Sequence, residues 1–424
     1  MSNRSAKCTD IRPLFLFVLV VVVVAYGGAQ STPPVDPRIR LEISVANKQP
    51  EFDVGEIIPL QLAFSSTVPD HYQVNMAQYD RSGRMNYEHF SVSPADGAVD
   101  PLPTNTGGMG GLTNFKFLTS EPWTIKLNLN EWVRFTRPGE YRLVVSSNRV
   151  GARDPSNPFG ASPAIARSNE ITLKIVPANP SWQKQVFNEA VAALDVPVKQ
   201  PEIERDTTAR RRAFEILRFL GSADAAREMA KRMRGEDSGG LDYVCMLGLI
   251  SSPEREVARS ALGEALADPD RPIDANFLYT LRMINSDPSA ATANWQEDQR
   301  KVVEELIAAL PTKRGKALSI SLSTALYEAW DGKALPQRTT HKLVSQLVSI
   351  FDQLPLKEQN TLLTFRWDRI AGPAMLPVLR LYAQSYRDFT EMREVNAYNS
   401  LALSGSALRH WYELDPVGAR PAII

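Results

Sequence analysis

Apolar side chains recur every second position in the first part of the chain and every third or fourth position in the second. Ile39, Leu41, Ile43 and Val45 alternate with polar neighbours, and Ile58, Leu60, Leu62 and Phe64 do the same. Tyr72, Val74, Met76, then Ile125, Leu127, Leu129, then Tyr141, Leu143, Val145, and finally Ile171, Leu173, Ile175 continue the pattern. Successive side chains of a strand point to opposite faces, so this spacing predicts at least six short half-buried strands. After Pro177-Ala-Asn-Pro180 the step lengthens: Trp182, Val186, Ala190 and Leu194 fall on one side of a helix. Ala213, Ile216, Leu217 and Leu220 form a second stripe closed by Gly221, and Ser222 is placed to cap a helix carrying Ala226, Met229, Ala230 and Met233. Val244, Leu247 and Ile250 repeat the arrangement, with Ser252 and Pro253 opening a further helix through Val257, Ala261, Ala265 and Leu266. Further turns are expected near 285, 331, 371 and 415, a loose period of roughly 40 residues, as in stacked helix pairs.

The chain's beginning follows a different rule. Arg4, Lys7 and Arg12 precede an unbroken apolar run from Leu14 to Ala25, followed by Gly27, Gly28 and Ala29. A positive flank, a short apolar centre and small residues at the exit make a secretory signal, with cleavage expected between Ala29 and Gln30. The alternative is an uncleaved anchor, the one way in which the chain would touch a membrane. Either way the remainder is expected outside the cytoplasm, in the periplasm or beyond. The expected organisation is signal peptide 1–29, linker 30–37, all-β domain 38–177 and all-α helical-repeat domain 181–424.

Of 424 residues, 48 are Lys or Arg and 48 are Asp or Glu, so no net positive charge attracts a phosphate backbone and nucleic acid is not expected as a partner. The chain has two cysteines. Cys8 would leave with the signal, so the remainder could form no internal disulfide. Cys245 sits in the apolar stretch LDYVCMLGLI and reads as a buried small hydrophobe.

The stretch from Trp132 to Leu143, WVRFTRPGEYRL, resembles the corner of immunoglobulin-like and macroglobulin-like domains. The resemblance implies a sandwich in which Pro138 and Gly139 make a turn, and Tyr141 packs beneath it with its hydroxyl bonded to backbone. The antibody-type disulfide is absent. Ile370–Leu379 (IAGPAMLPVL), Leu414–Ile423 and more faintly Leu220–Ala226 are similar to HEAT repeats, which implies a helical scaffold whose concave face binds proteins or peptides. The chain is thus identified as resembling a secreted bacterial protein with a β-sandwich followed by HEAT-like repeats.

Two irregular stretches interrupt the strands, Pro101–Thr113 and Gly151–Pro163. The first carries Gly107, Gly108, Met109, Gly110 and Gly111 and is the candidate partner-binding loop, because loops at a sandwich end grip partners. It lacks the Lys-Ser/Thr and following helix of a nucleotide loop.

Catalytic constellations are sparse. His71, His89, His341 and His410 are scattered singly, so no metal or cofactor is expected. Asp237-Ser-Gly-Gly240 resembles a protease serine context but reads as a turn between helices, and the Ser404-Gly-Ser406 stretch lacks a nucleophile elbow's strand. Glu304, Glu305 and Glu328 read as helix-flank positions, Trp295, Trp330, Trp367 and Trp411 as core or repeat contacts, and Arg210, Arg211 and Arg212 as a solvated face. The expected function is a non-enzymatic protein- or peptide-binding or scaffold protein. The alternative is a carbohydrate-active or peptidase-like enzyme with a helical catalytic domain. The end Pro421-Ala-Ile-Ile424 raises the expectation that a last helix is missing or that an oligomer forms through the C-terminal edge.

Overall fold

The computed structural model describes residues 35–77, 84, 86–102, 113–153, 161–196, 203–233, 241–286, 295–328, 337–354, 356–384 and 397–423. Up to Val176 the described elements are strands, apart from one short 3-10 turn at Leu129–Glu131. They are β1 Ile39–Val45, β2 Glu51–Asp53, β3 Pro59–Ser66, β4 Tyr72–Asn75, β5 Glu88–Ser93, β6 Ala98–Val99, β7 Phe115–Phe117, β8 Trp123–Asn128, β9 Arg134–Phe135, β10 Gly139–Arg153, β11 Ala161–Arg167 and β12 Ile171–Val176. From Pro180 they are helices: α1 Pro180–Asp195, α2 Ile203–Leu220, α3 Ala223–Arg232, α4 Leu241–Ile250, α5 Arg255–Ala267, α6 Ala275–Asn285 and α7 Trp295–Ala309. These continue as α8 Gly315–Glu328, α9 Gln337–Ile350, α10 Leu356–Phe365, α11 Trp367–Ile370, α12 Leu376–Gln384, α13 Ala397–Leu414 and α14 Pro416–Ile423. A β-rich part is therefore followed by a helical part.

One sheet runs β1-β3-β8, antiparallel throughout. The larger sheet runs β2-β12-β10-β4-β7, with β5 and β11 also paired to the long strand β10. Alternation explains what lies between them: Leu41, Leu62, Phe64 and Ile125 of the first sheet and Tyr72, Leu143, Val145 and Leu173 of the second share one apolar core. Side chains close some backbone gaps. Asn130 accepts from the Ile58 N–H at 2.8 Å and donates to the Glu56 carbonyl at 2.8 Å. Asn169 does the same for Ile43, at 2.9 and 3.2 Å, on the outer edge of β1.

In the helical part, α2, α4 and α6 pack in succession, as do α3 and α5. Asn179 caps α1, accepting from the Ser181 and Trp182 N–H groups with Pro180 in the first turn, and Ser222 caps α3 through Ala225. The helix expected to open at Ser252-Pro253 begins at Arg255 instead. The Ser252 hydroxyl accepts from the Glu254 N–H at 3.1 Å and forms a turn; α5 buries Ala258, Leu262 and the expected Leu266, while Val257, Ala261 and Ala265 pack partly buried beside them. Pro253 packs over Gly221, where a Cβ would lie 3.1 Å from its ring. After Asp415, where a missing helix was expected, the short helix α14 buries Ala419 against the preceding helices and leaves Val417 85% exposed.

The two parts meet over a defined contact. Leu102, from the β-rich side, is buried within the helical core cluster. Gly55, at φ +89°, abuts the end of α2, where an added Cβ would stand 3.0 Å from the Leu220 carbonyl oxygen. Arg218 of α2, buried, donates both terminal nitrogens to the Glu131 carboxylate at 2.9 and 2.6 Å, and Arg134 donates to the Ser251 carbonyl.

Candidate functional site

The described residues place a cleft of about 950 Å³ beside β5, lined among others by Tyr87, Glu88, His89, Phe90 and Val92, with Ala95, Ala98, Val99, Trp132 and Val133 opposite. Its construction starts from the corner residues. The Tyr141 hydroxyl donates to the Arg137 carbonyl at 2.9 Å, its ring lies 4.6 Å from Phe135, and the side chain is buried. Gly97, at φ +86°, passes directly over that hydroxyl, where any Cβ would collide with it. This close approach sets β6, just beyond Gly97, against β9 and so fixes one wall of the cleft. Phe90 meets Trp132 at 5.5 Å between ring centres, which joins wall to floor.

The other wall depends on a buried ion pair. Arg149 and Glu88 are both almost fully buried and bonded to each other. Arg149 also donates to the carbonyls of Asn75, at 2.9 Å, and Ala77, while Ser147 donates to Glu88 at 3.3 Å. Burial pushes the Glu88 carboxyl upward against the pull of Arg149. The pair sits where the pairing of β10 with β11 slips between Ser147 and Val150, and the arginine bonds the carbonyls at and just past the end of β4.

On the far side of Trp132 lies a second groove of about 420 Å³ between the β-rich and helical parts, lined by Lys126, Glu131, Arg211, Glu215, Arg218 and Tyr243 among others. Burial raises the Glu131 carboxyl, opposed by Arg218 and reinforced by Glu215. Arg134 is lowered to about 10 by burial and by the charge of Arg218. Every carboxylate lining the two cavities is engaged by an arginine: Glu88 by Arg149, Asp100 by Arg84, Glu131 by Arg218 and Glu215 by Arg212.

Of the remaining sequence candidates, His89 lines the cleft and Arg211 the second groove. Gly107, Gly108, Met109, Gly110 and Gly111 lie outside the described residues, as do Ala29, Gln30, Trp330 and the Asp237–Gly240 turn. The second irregular stretch, Gly151–Pro163, is corrected at both ends: β10 extends to Arg153 by pairing with β4, and β11 begins at Ala161. Arg210 is not simply solvated, since it donates to the Leu194 and Val196 carbonyls at the end of α1, at 3.0 and 3.2 Å. Cys245 is fully buried and burial pushes its thiol well up. His410 is buried and stacked on Trp367 at 4.2 Å, with its ring nitrogens at Glu413 and the Leu363 carbonyl. Glu328 is not an ordinary flank residue: burial raises its carboxyl, Asp274 adds to the rise, and Gln299 donates to it at 2.9 Å. Among the described residues no group of three or more potential ligands gathers for a metal, and no helix is long and apolar enough to cross a membrane.

Sequence reasoning missed the cleft because its walls come from residues 84–100, 132–133, 146–148 and 165–167, which no local spacing connects. The one signal present was the corner, whose tyrosine sits behind a wall rather than in it. No protein-family model matches the chain, and no curated protein matches it.

Proposed function

We propose that the chain is an exported, non-catalytic protein- or peptide-binding or scaffold protein, in which an immunoglobulin-like sandwich precedes HEAT-like helical pairs. The sandwich reading is supported by two sheets sharing one core and by the Tyr141–Arg137 corner bond. The repeat reading is supported by the successive packing of α2, α4 and α6. The observation that carries the function is the cleft beside β5, whose carboxylates are all held by arginine and whose wall presents apolar groups such as Val99, 46% exposed. Such a surface is suited to contact rather than to proton transfer.

Affinity capture with the full exported chain, run beside Val99→Glu, tests this. A partner retained by the parent and lost by the variant supports the role. Hydrolysis of a glycan or peptide library by the purified chain, with no partner retained, overturns it.

One observation favours the enzymatic reading, namely the raised Glu328 carboxyl beside Asp274 and the half-exposed Trp295. Under that reading Glu328→Gln abolishes a measurable hydrolysis; under the proposed one there is none to abolish.

A further inference from the structure

We infer that β5 is a docking edge for an extended segment of another protein, one whose side chains alternate between apolar and acidic. This inference rests on the protein-binding role proposed above and specifies its chemistry. Among the described residues β5 pairs only with β10, so its second edge carries backbone N–H and C=O groups without a strand partner. The outer edge of β1, by contrast, is closed by the Asn169 amide on both backbone groups of Ile43. An open sheet edge beside a cleft accepts an added strand, with main-chain bonds giving affinity and alternate side chains giving specificity.

The two faces of β5 dictate that alternation. Phe90 and Val92 turn inward beside Trp132 and Val99, so every second side chain of an added strand meets the apolar part of the cleft wall. His89, Ser91 and Ser93 turn outward. Register places Ser93 beside Arg142, and His89 beside Ser146, which in turn pairs with Arg167. Arg142 and Arg167 are exposed and meet no carboxylate among the described residues; Arg142 reaches only the Ser93 hydroxyl at 3.5 Å. The outward face is therefore cationic, and acidic side chains at the intervening positions of the incoming strand complement it.

The test uses the full chain and four synthetic ten-residue peptides: one alternating valine with glutamate, its valine–lysine counterpart, and two forms of the glutamate peptide N-methylated at every second amide, one in each register. The glutamate peptide is expected to bind and to slow amide hydrogen exchange across Glu88–Ser93, and the lysine peptide to bind at least tenfold more weakly. Arg142→Glu with Arg167→Glu, both at exposed positions, is expected to reverse that order. N-methylation in one register should abolish binding and in the other leave it intact, since only one set of amides faces the edge. Equal binding by both registers, or exchange unchanged at β5, overturns the inference. If a natural partner is captured but ignores the double arginine variant and the competing peptide, strand addition falls while the protein-binding role stands; if neither partner nor peptide binds, both fall.

Discussion

Removing the carboxylate that joins the two parts should be more damaging than removing its arginine. Arg218 is 3% exposed at its side chain and bonded to Glu131 through both terminal nitrogens. In Glu131→Ala the Arg218 guanidinium stays buried and charged at neutral pH. Arg134, already lowered to about 10 by burial and by Arg218, then faces that charge with less compensation. Stranding one member of a buried pair costs about 3–5 kcal/mol, and the upper half of that range is expected here. Arg218→Met leaves Glu131, whose carboxyl is already raised by burial and can take a proton. Its cost is expected to be about 1–3 kcal/mol and to shrink as pH falls, while the Glu131→Ala deficit does not shrink. Glu131→Leu with Arg218→Met should return to within about 1 kcal/mol of the parent, because a buried pair replaced by apolar groups is often neutral. Urea titration followed by helical ellipticity and tryptophan emission measures all four proteins. A double variant that recovers none of the Glu131→Ala loss, or a Glu131→Ala cost below about 1 kcal/mol, would refute the reasoning.

Other consequences are independent of that contact. Glu88→Ala leaves Arg149 buried without its carboxylate and should cost about 3–5 kcal/mol, measured as a loss in urea midpoint. Gly97→Ala combines a strained positive φ with a collision against the Tyr141 hydroxyl, and should cost about 2–4 kcal/mol and weaken any ligand of the β5 cleft. Lys313, buried with its ammonium donating to the Asp268 and Arg271 carbonyls at 2.7 and 2.9 Å, is lowered to about 8 by burial, from 10.5. The unfolded chain therefore binds the extra proton between these values, so stability should rise by on the order of 2 kcal/mol from pH 8 to 10.5. Lys313→Met should remove that slope in thermal melts.

The fold was legible where burial alone decides position. Leu41, Leu62, Ile125, Leu143 and Leu173 lie where period two places them, in the core between the sheets. β5 escaped notice because its inward face begins with Glu88, a charge that only Arg149, 61 positions away, renders burial-compatible. β7 escaped because all three of its residues are exposed, and β11 because Ala161–Arg167 has few strand-forming side chains and includes Pro163. Helix stripes were readable, but the start of α5 was not, since Ser252 can serve either a cap or a turn and its own backbone decides between them. The corner at Tyr141 was visible as a motif; the cleft it supports depends on distant segments brought together by register.

The proposed binding role is tested most directly by placing a photoreactive residue at Val99 in the cleft and, as a control, at Val417 of α14, which is the more exposed of the two. Irradiation in cells producing the chain is predicted to yield a defined adduct from position 99 only, suppressed by the alternating valine–glutamate peptide. Absence of any adduct at 99, or identical adducts from 99 and 417 that the peptide leaves untouched, would contradict it.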